Sequence, residues 1–118
     1  MSGRLTTHVL DTASGRPAVG MRIVLNRRAG SGDREAIADV RTNADGRVDD
    51  TLLAGASLVA GEYELVFHVA AYFASIGHDA AGRFLGAVPI VFTIDRPGEH
   101  YHVPLLVTPW SYSTYRGS

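Results

Sequence analysis

Two histidines stand two residues apart in His100-Tyr101-His102, a third lies at His8, and Arg47 directly follows an Asp45-Gly46 pair. Imidazole is the side chain whose ordinary pKa lies nearest neutrality, so it can take a proton from water and return it with little tuning. A guanidinium close by can hold a substrate oxygen on which negative charge builds. Together these groups could hydrolyse a small molecule. The same histidines allow a second chemistry, because a His-x-His pair with His8 as third ligand can hold a metal ion. An outward histidine on a strand is also commonly an ordinary surface residue, and spacing alone leaves all three readings open.

The elements around these residues decide which way they point. Tyr101, Val103, Leu105 and Val107 alternate in the last apolar stretch. Side chains change face at every residue of a strand, so His100 and His102 lie together on the side away from the core. Arg4 to Asp11 also reads as a strand, with Leu5 and Val9 on one face and Arg4, Thr6 and His8 on the other. Asn43 to Gly46 is a turn, since Asp-Gly favours positive backbone angles, and it presents Arg47.

Other strands are predicted around Met21, Ile23 and Leu25, over Ala36 to Thr42, Val48 to Leu53, Tyr63 to Val69, Val88 to Ile94, and Ser111 to Arg116. Arg28 to Asp33 reads as a loop, and Ala70 to Gly77 as the one short helix, Ala-rich and closed by glycine. Short strands separated by turn signals predict an all-β sandwich. His68, on a Glu-rich strand face, and His78, in a loop, carry no functional expectation.

Composition removes several functions. The 118 residues hold 11 basic and 12 acidic side chains, with no patch suited to nucleic acid or an anionic membrane. All the basic residues are arginine. Cysteine is absent, which excludes disulfides, thiolate metal sites and a cysteine nucleophile. No serine sits in a Gly-x-Ser-x-Gly elbow, and no glycine loop cradles phosphate. No apolar run resembles a signal peptide or a membrane span, so a soluble, cytoplasmic, single domain over 1–118 is expected. With 46% hydrophobic residues one core is feasible.

Five motifs, taken in order, carry a resemblance that covers essentially the whole sequence. Leu5-Thr-Thr-His-Val-Leu-Asp-Thr-Ala-Ser-Gly-Arg-Pro-Ala18 resembles the N-terminal signature of the transthyretin-like family. Thr42-Asn-Ala-Asp-Gly-Arg47, Ala71-Tyr72-Phe73 and His100-Tyr-His-Val-Pro-Leu-Leu106 fit the same pattern. Tyr115-Arg-Gly-Ser118 resembles the terminal tetrapeptide of its enzyme branch, the 5-hydroxyisourate hydrolases. Trp110 stands where a smaller aromatic is expected, and Thr108 where serine is common.

The resemblance implies a transthyretin-like (prealbumin-like) sandwich of two four-stranded sheets with one short helix, assembled as a homotetramer with sites where two dimers meet. It implies His8, Arg47, His102 and Ser118 as catalytic residues, and His8, Arg47 and Tyr115 as substrate contacts, with Arg116 open to a structural role. The implied reaction is hydrolysis of the cyclic amide of 5-hydroxyisourate, with water activated by histidine and no cofactor or metal. The rival within this fold is a carrier that binds a small molecule without chemistry.

Overall fold

The computed structural model describes residues 3–117. In chain order these form β1 (Arg4–Asp11), β2 (Arg16–Pro17), β3 (Arg22–Arg28), β4 (Arg34–Arg41), β5 (Leu53–Ala54), β6 (Gly61–His68), the helix α1 (Val69–Ser75), β7 (Ala87–Ile94), β8 (His100–Val107) and β9 (Tyr112–Thr114). They make two sheets. One runs β4-β3-β6-β7, antiparallel throughout. The other runs β2-β1-β8-β9, with β5 added on β1, and its central pair, β1 with β8, is parallel. The all-β sandwich is as expected. The sheet that contains β1 has five strands rather than four, because the two-residue β5 joins it.

Alternation places the core where the sequence suggests. Leu5, Val9, Val103 and Leu105 from one sheet and Ile23, Leu25, Leu65 and Phe67 from the other share one buried cluster. Withdrawing each such side chain from water contributes about 1.5–3 kcal/mol. Thr7 also points inward, and its hydroxyl donates to the Val103 carbonyl at 2.7 Å, so it spans β1 and β8 without leaving a buried polar group unpaired.

Several expected boundaries move. The stretch Val48 to Leu53 is not a strand; only Leu53 and Ala54 pair with β1, at Leu5 and Arg4. The edge of β1 offers room for short pieces alone, since the turn before Arg47 and then β2 occupy the rest. Among the described residues the tail pairs over Tyr112–Thr114 and afterwards at Gly117. Glu64, on the polar face of β6 with Glu62, is only 3% exposed, because Asn26 and Arg34 both donate to its carboxylate.

The helix starts at Val69, one residue earlier than expected, and Gly77 at φ +74° ends it. Gly77 N–H donates to Ala74 and His78 N–H to Phe73, the paired bonds of a left-handed helix stop. His78 packs its ring edge-on against Phe73 at 5.4 Å, which explains this histidine structurally. Seven residues are too few to hold a helix alone. Tyr72 anchors it to β1, donating to Asp11 Oδ2 at 2.8 Å. No helix among the described residues is long and apolar enough to cross a membrane.

Burial alone would raise the Asp11 carboxyl, but hydrogen bonds from Ser14, Tyr72 and Ala13 more than offset it and hold the group below the usual carboxylate range. Its contribution to stability is therefore present at neutral pH and lost as pH falls through that lowered value. Tyr72→Phe removes one donor from a buried carboxylate and should cost about 1–3 kcal/mol in urea unfolding at neutral pH. It should also move acid unfolding to higher pH. Unchanged unfolding at both neutral and acid pH would show that the bond contributes nothing.

Candidate active site

The parallel register of β1 and β8 sets Arg4 level with His100, Thr6 with His102 and His8 with Pro104. Outward residues of both strands therefore share one surface, as alternation predicts. Arg4, Thr6, Arg47, His100 and His102, together with the edge of Thr7, line an open cleft of about 390 Å³. Thr6 lies between the two histidines of β8. Its hydroxyl is 2.7 Å from His100 Nε2 and 2.8 Å from His102 Nδ1. The sequence places Thr6 on the His8 face but gives no sign of this contact, which exists only because β1 lies beside β8.

Arg47 reaches the site through its turn. The Asn43 side-chain oxygen accepts from the backbone N–H of Asp45 at 2.9 Å and of Arg47 at 3.2 Å, folding the chain on itself. Gly46 lies at φ +76° and so close to the Val9 carbonyl that a Cβ would collide with it. Val9 N–H donates to the Gly46 carbonyl at 2.8 Å, so the turn is stitched to β1 next to His8. The Asp45 carbonyl in turn accepts from His8 Nε2 at 2.9 Å. A carbonyl cannot donate, so Nε2 is the donor of this bond and Nδ1 is left out of it. Among the described residues no carboxylate pairs with the Arg47 guanidinium.

Both histidines of β8 are held below the ordinary histidine range. For His102 the causes are burial first, then the positive charge of Arg47, then His100 and His8. For His100 they are burial, Arg4 and Arg116. Each favours the neutral ring, the form that can accept a proton at neutral pH.

The tail closes the other side of His102. Gly117 N–H donates to the His102 carbonyl at 2.8 Å. A Cβ on Gly117 would lie 2.7 Å from His102 Cδ2, so glycine is required by closeness to the ring. Arg116 is engaged elsewhere: it donates to Glu99 at 2.9 Å and to the His100 carbonyl at 3.2 Å, with its guanidinium 4.1 Å from the centre of the Tyr101 ring. It fastens the tail to β8, the structural role left open above. Tyr115, 60% exposed, lines a separate groove with Ile90, Phe92 and Val103. Ser118 lies outside the described residues.

The structure thus unites Arg47 and His102 in one cleft with His8 beside them, adds Thr6, Arg4 and His100, and leaves Tyr115 apart. His68 opens onto a different depression. No group of three His, Asp or Glu side chains among the described residues converges as metal ligands would. Thr108 does the work of a serine, its hydroxyl accepting from the N–H groups of Trp110 and Ser111. Trp110 lies outside the cleft, stacked on Phe84 at 6.3 Å.

The chain belongs to the HIUase/Transthyretin family, whose family model matches residues 5–117. A relative from Rhizobium meliloti, named 5-hydroxyisourate hydrolase 2, is 57% identical over 118 residues, covering 99% of this chain and 98% of its own. Among solved structures, an (S)-allantoin synthase is similar at TM-score 0.92 and 48% identity, over 98% of this chain and 44% of that longer one. The Klebsiella pneumoniae 5-hydroxyisourate hydrolase gives 0.81 and 38%, with both chains fully covered. Sea bream transthyretin in complex with thyroxine gives 0.87 and 28%, over 97% and 94% of the two chains.

Because Arg47 helps to depress His102, Arg47→Gln should raise the His102 titration midpoint, followed by NMR. Burial remains, so the midpoint should stay below that of a free histidine. No movement at all would show that the guanidinium does not act on this ring.

Proposed function

We propose that this chain hydrolyses 5-hydroxyisourate at its cyclic amide, forming 2-oxo-4-hydroxy-4-carboxy-5-ureidoimidazoline, and that the β1–β8 cleft is where it does so. The observation that carries this reading is His102, biased toward its neutral form by burial and by Arg47, sharing one open cleft with that Arg47, which no carboxylate among the described residues pairs. The relatives that share its whole length and carry that enzyme's name support the same reading.

Since Thr6 occupies Nδ1 of His102, Nε2 is the nitrogen left for water in the cleft. It takes a proton as the water oxygen attacks the ring carbonyl. Arg47 holds that carbonyl oxygen while charge develops on it. The carbon–nitrogen bond then breaks and the imidazolium returns its proton to the departing nitrogen, leaving a neutral amide nitrogen and a carboxylic acid, which loses its proton to solvent to become the carboxylate. His8, tied to the turn through Nε2, orients the water or the substrate with its other ring nitrogen. No step calls for a metal or another cofactor.

We further infer a homotetramer whose sites are completed between chains, Tyr115 and Ser118 of the tail being the substrate contacts supplied there. The cleft is open and Tyr115 lies outside it in one chain. Phe84 and Trp110, 68% and 54% exposed, form an apolar stack that a second copy would cover. A carrier of the transthyretin kind fits the fold equally well. What argues against it is the floor of the cleft, made of histidine, arginine and threonine rather than the apolar lining a passive binding site favours.

The test follows the ultraviolet absorbance of freshly made 5-hydroxyisourate. The wild-type protein should speed its decay, and His102→Ala should lower kcat/KM by about 100-fold or more. Gly117→Ala, which pushes on the His102 ring, should cost at least about tenfold with the assembly intact. Decay no faster than in buffer would contradict the enzyme and favour the carrier.

A further inference from the structure

We propose that Thr6 is a positioning residue that sets the proton arrangement of His102, linking it to His100 in one hydrogen-bonded chain from His102 Nδ1–H through the Thr6 hydroxyl to His100 Nε2. This rests on the reaction assigned above, and it adds two residues, Thr6 and His100, to the machinery behind the base.

The argument is a count of protons. A threonine hydroxyl has one proton to give and lone pairs to receive. It stands within hydrogen-bond distance of two ring nitrogens, 2.7 Å from His100 Nε2 and 2.8 Å from His102 Nδ1. It can donate to only one of them, so the other must carry its own proton for both bonds to exist. Two neutral rings therefore cannot choose their tautomers independently.

Two arrangements satisfy the count. In one, His102 bears its proton on Nδ1 and keeps the Nε2 lone pair. In the other, His100 Nε2–H donates to Thr6, Thr6 donates to His102 Nδ1, and His102 carries its proton on Nε2. The positive charge of Arg47 acts on His102 from within the cleft. A lone pair on the nitrogen left to the cleft is favoured there over an N–H, and this selects the first arrangement. It is also the one in which His102 can act as a base.

The same chain steadies the ring after it has accepted a proton. The imidazolium still donates through Nδ1 to Thr6 Oγ1, while Thr6 still donates to His100 Nε2. No bond has to be remade as the proton arrives at Nε2 and leaves again for the departing nitrogen. The ring centres of His100 and His102 are 6.1 Å apart, too far for the rings to bond directly, so the hydroxyl is the link between them. Geometry prepares it: Thr6 is paired with His102 across the parallel strands, and Arg116 on the His100 carbonyl holds the far end.

The experiment compares Thr6→Val, which keeps the branched shape suited to a strand but lacks the hydroxyl, with Thr6→Ser, which keeps the hydroxyl. Nitrogen-15 NMR of the neutral imidazoles should show His102 protonated on Nδ1 in the wild type and in Thr6→Ser. In Thr6→Val it should shift toward protonation on Nε2. In the 5-hydroxyisourate assay Thr6→Val should lose about tenfold in kcat, the worth of one hydrogen bond, with KM little changed, and Thr6→Ser should recover most of it.

A His102 tautomer indifferent to Thr6→Val, or a serine variant as impaired as the valine one, would overturn the proposal. The NMR comparison needs no turnover. An inactive wild-type protein with the predicted tautomer shift would therefore sink the hydrolase reading and leave the Thr6 link standing. An active wild type with no shift would do the reverse.

Discussion

Pairing the first long strand with the last long one, in parallel and with Thr6 level with His102, brings residues from the two ends of the chain onto one surface. A slip of one residue in β8 would turn the histidines toward the core and Val103 and Leu105 toward water, because faces alternate. Burial of those apolar side chains on one face therefore enforces the register that the polar face needs. The inward Thr7, bonded to the Val103 carbonyl, fastens the same pair from inside. The apolar core and the polar cleft are two faces of one constraint.

The free edge of β1 carries the next layer of the design. It is covered piecewise, by β5 at its start, the Asn43–Arg47 turn at its middle and β2 at its end. The middle piece exists because Gly46 can come close to the Val9 carbonyl, and it delivers Arg47 beside His8. On the opposite side of the sheet the tail is fastened at Thr114, Arg116 and Gly117, each bonded to β8. Arginine in that tail serves attachment, and glycine allows the backbone to lie against the His102 ring. Both residue types answer to packing, although they sit next to a reactive group.

Much of this was legible in the sequence. The alternation of Tyr101, Val103, Leu105 and Val107 turned His100 and His102 outward, and that of Leu5 and Val9 did the same for His8, as the structure has it. Asp45-Gly46 marked the turn. The partnership of β1 with β8 could not be read from periodicity, because a period states which face a residue occupies and not which strand lies alongside. The motif resemblance supplied that neighbourhood; residue patterning did not. Thr6 was missed as a functional group for the same reason, since its two bonds cross strands. The stretch Val48 to Leu53 misled because local propensity cannot register that most of the β1 edge is already taken. The burial of Glu64 was not legible either, because its cover, Arg34 and Asn26, comes from other strands.

The most direct test of the central claim is the pH dependence of kcat/KM for 5-hydroxyisourate, set beside the NMR titration of His102 in the same buffer. A base held neutral by burial and by Arg47 should keep the rate level down to mildly acid pH. The rate should then fall as pH drops through the lowered His102 midpoint, the two curves coinciding. An acid limb at or above the ordinary histidine value of about 6.5, or one displaced from the His102 titration, would contradict the assignment of His102 as the base.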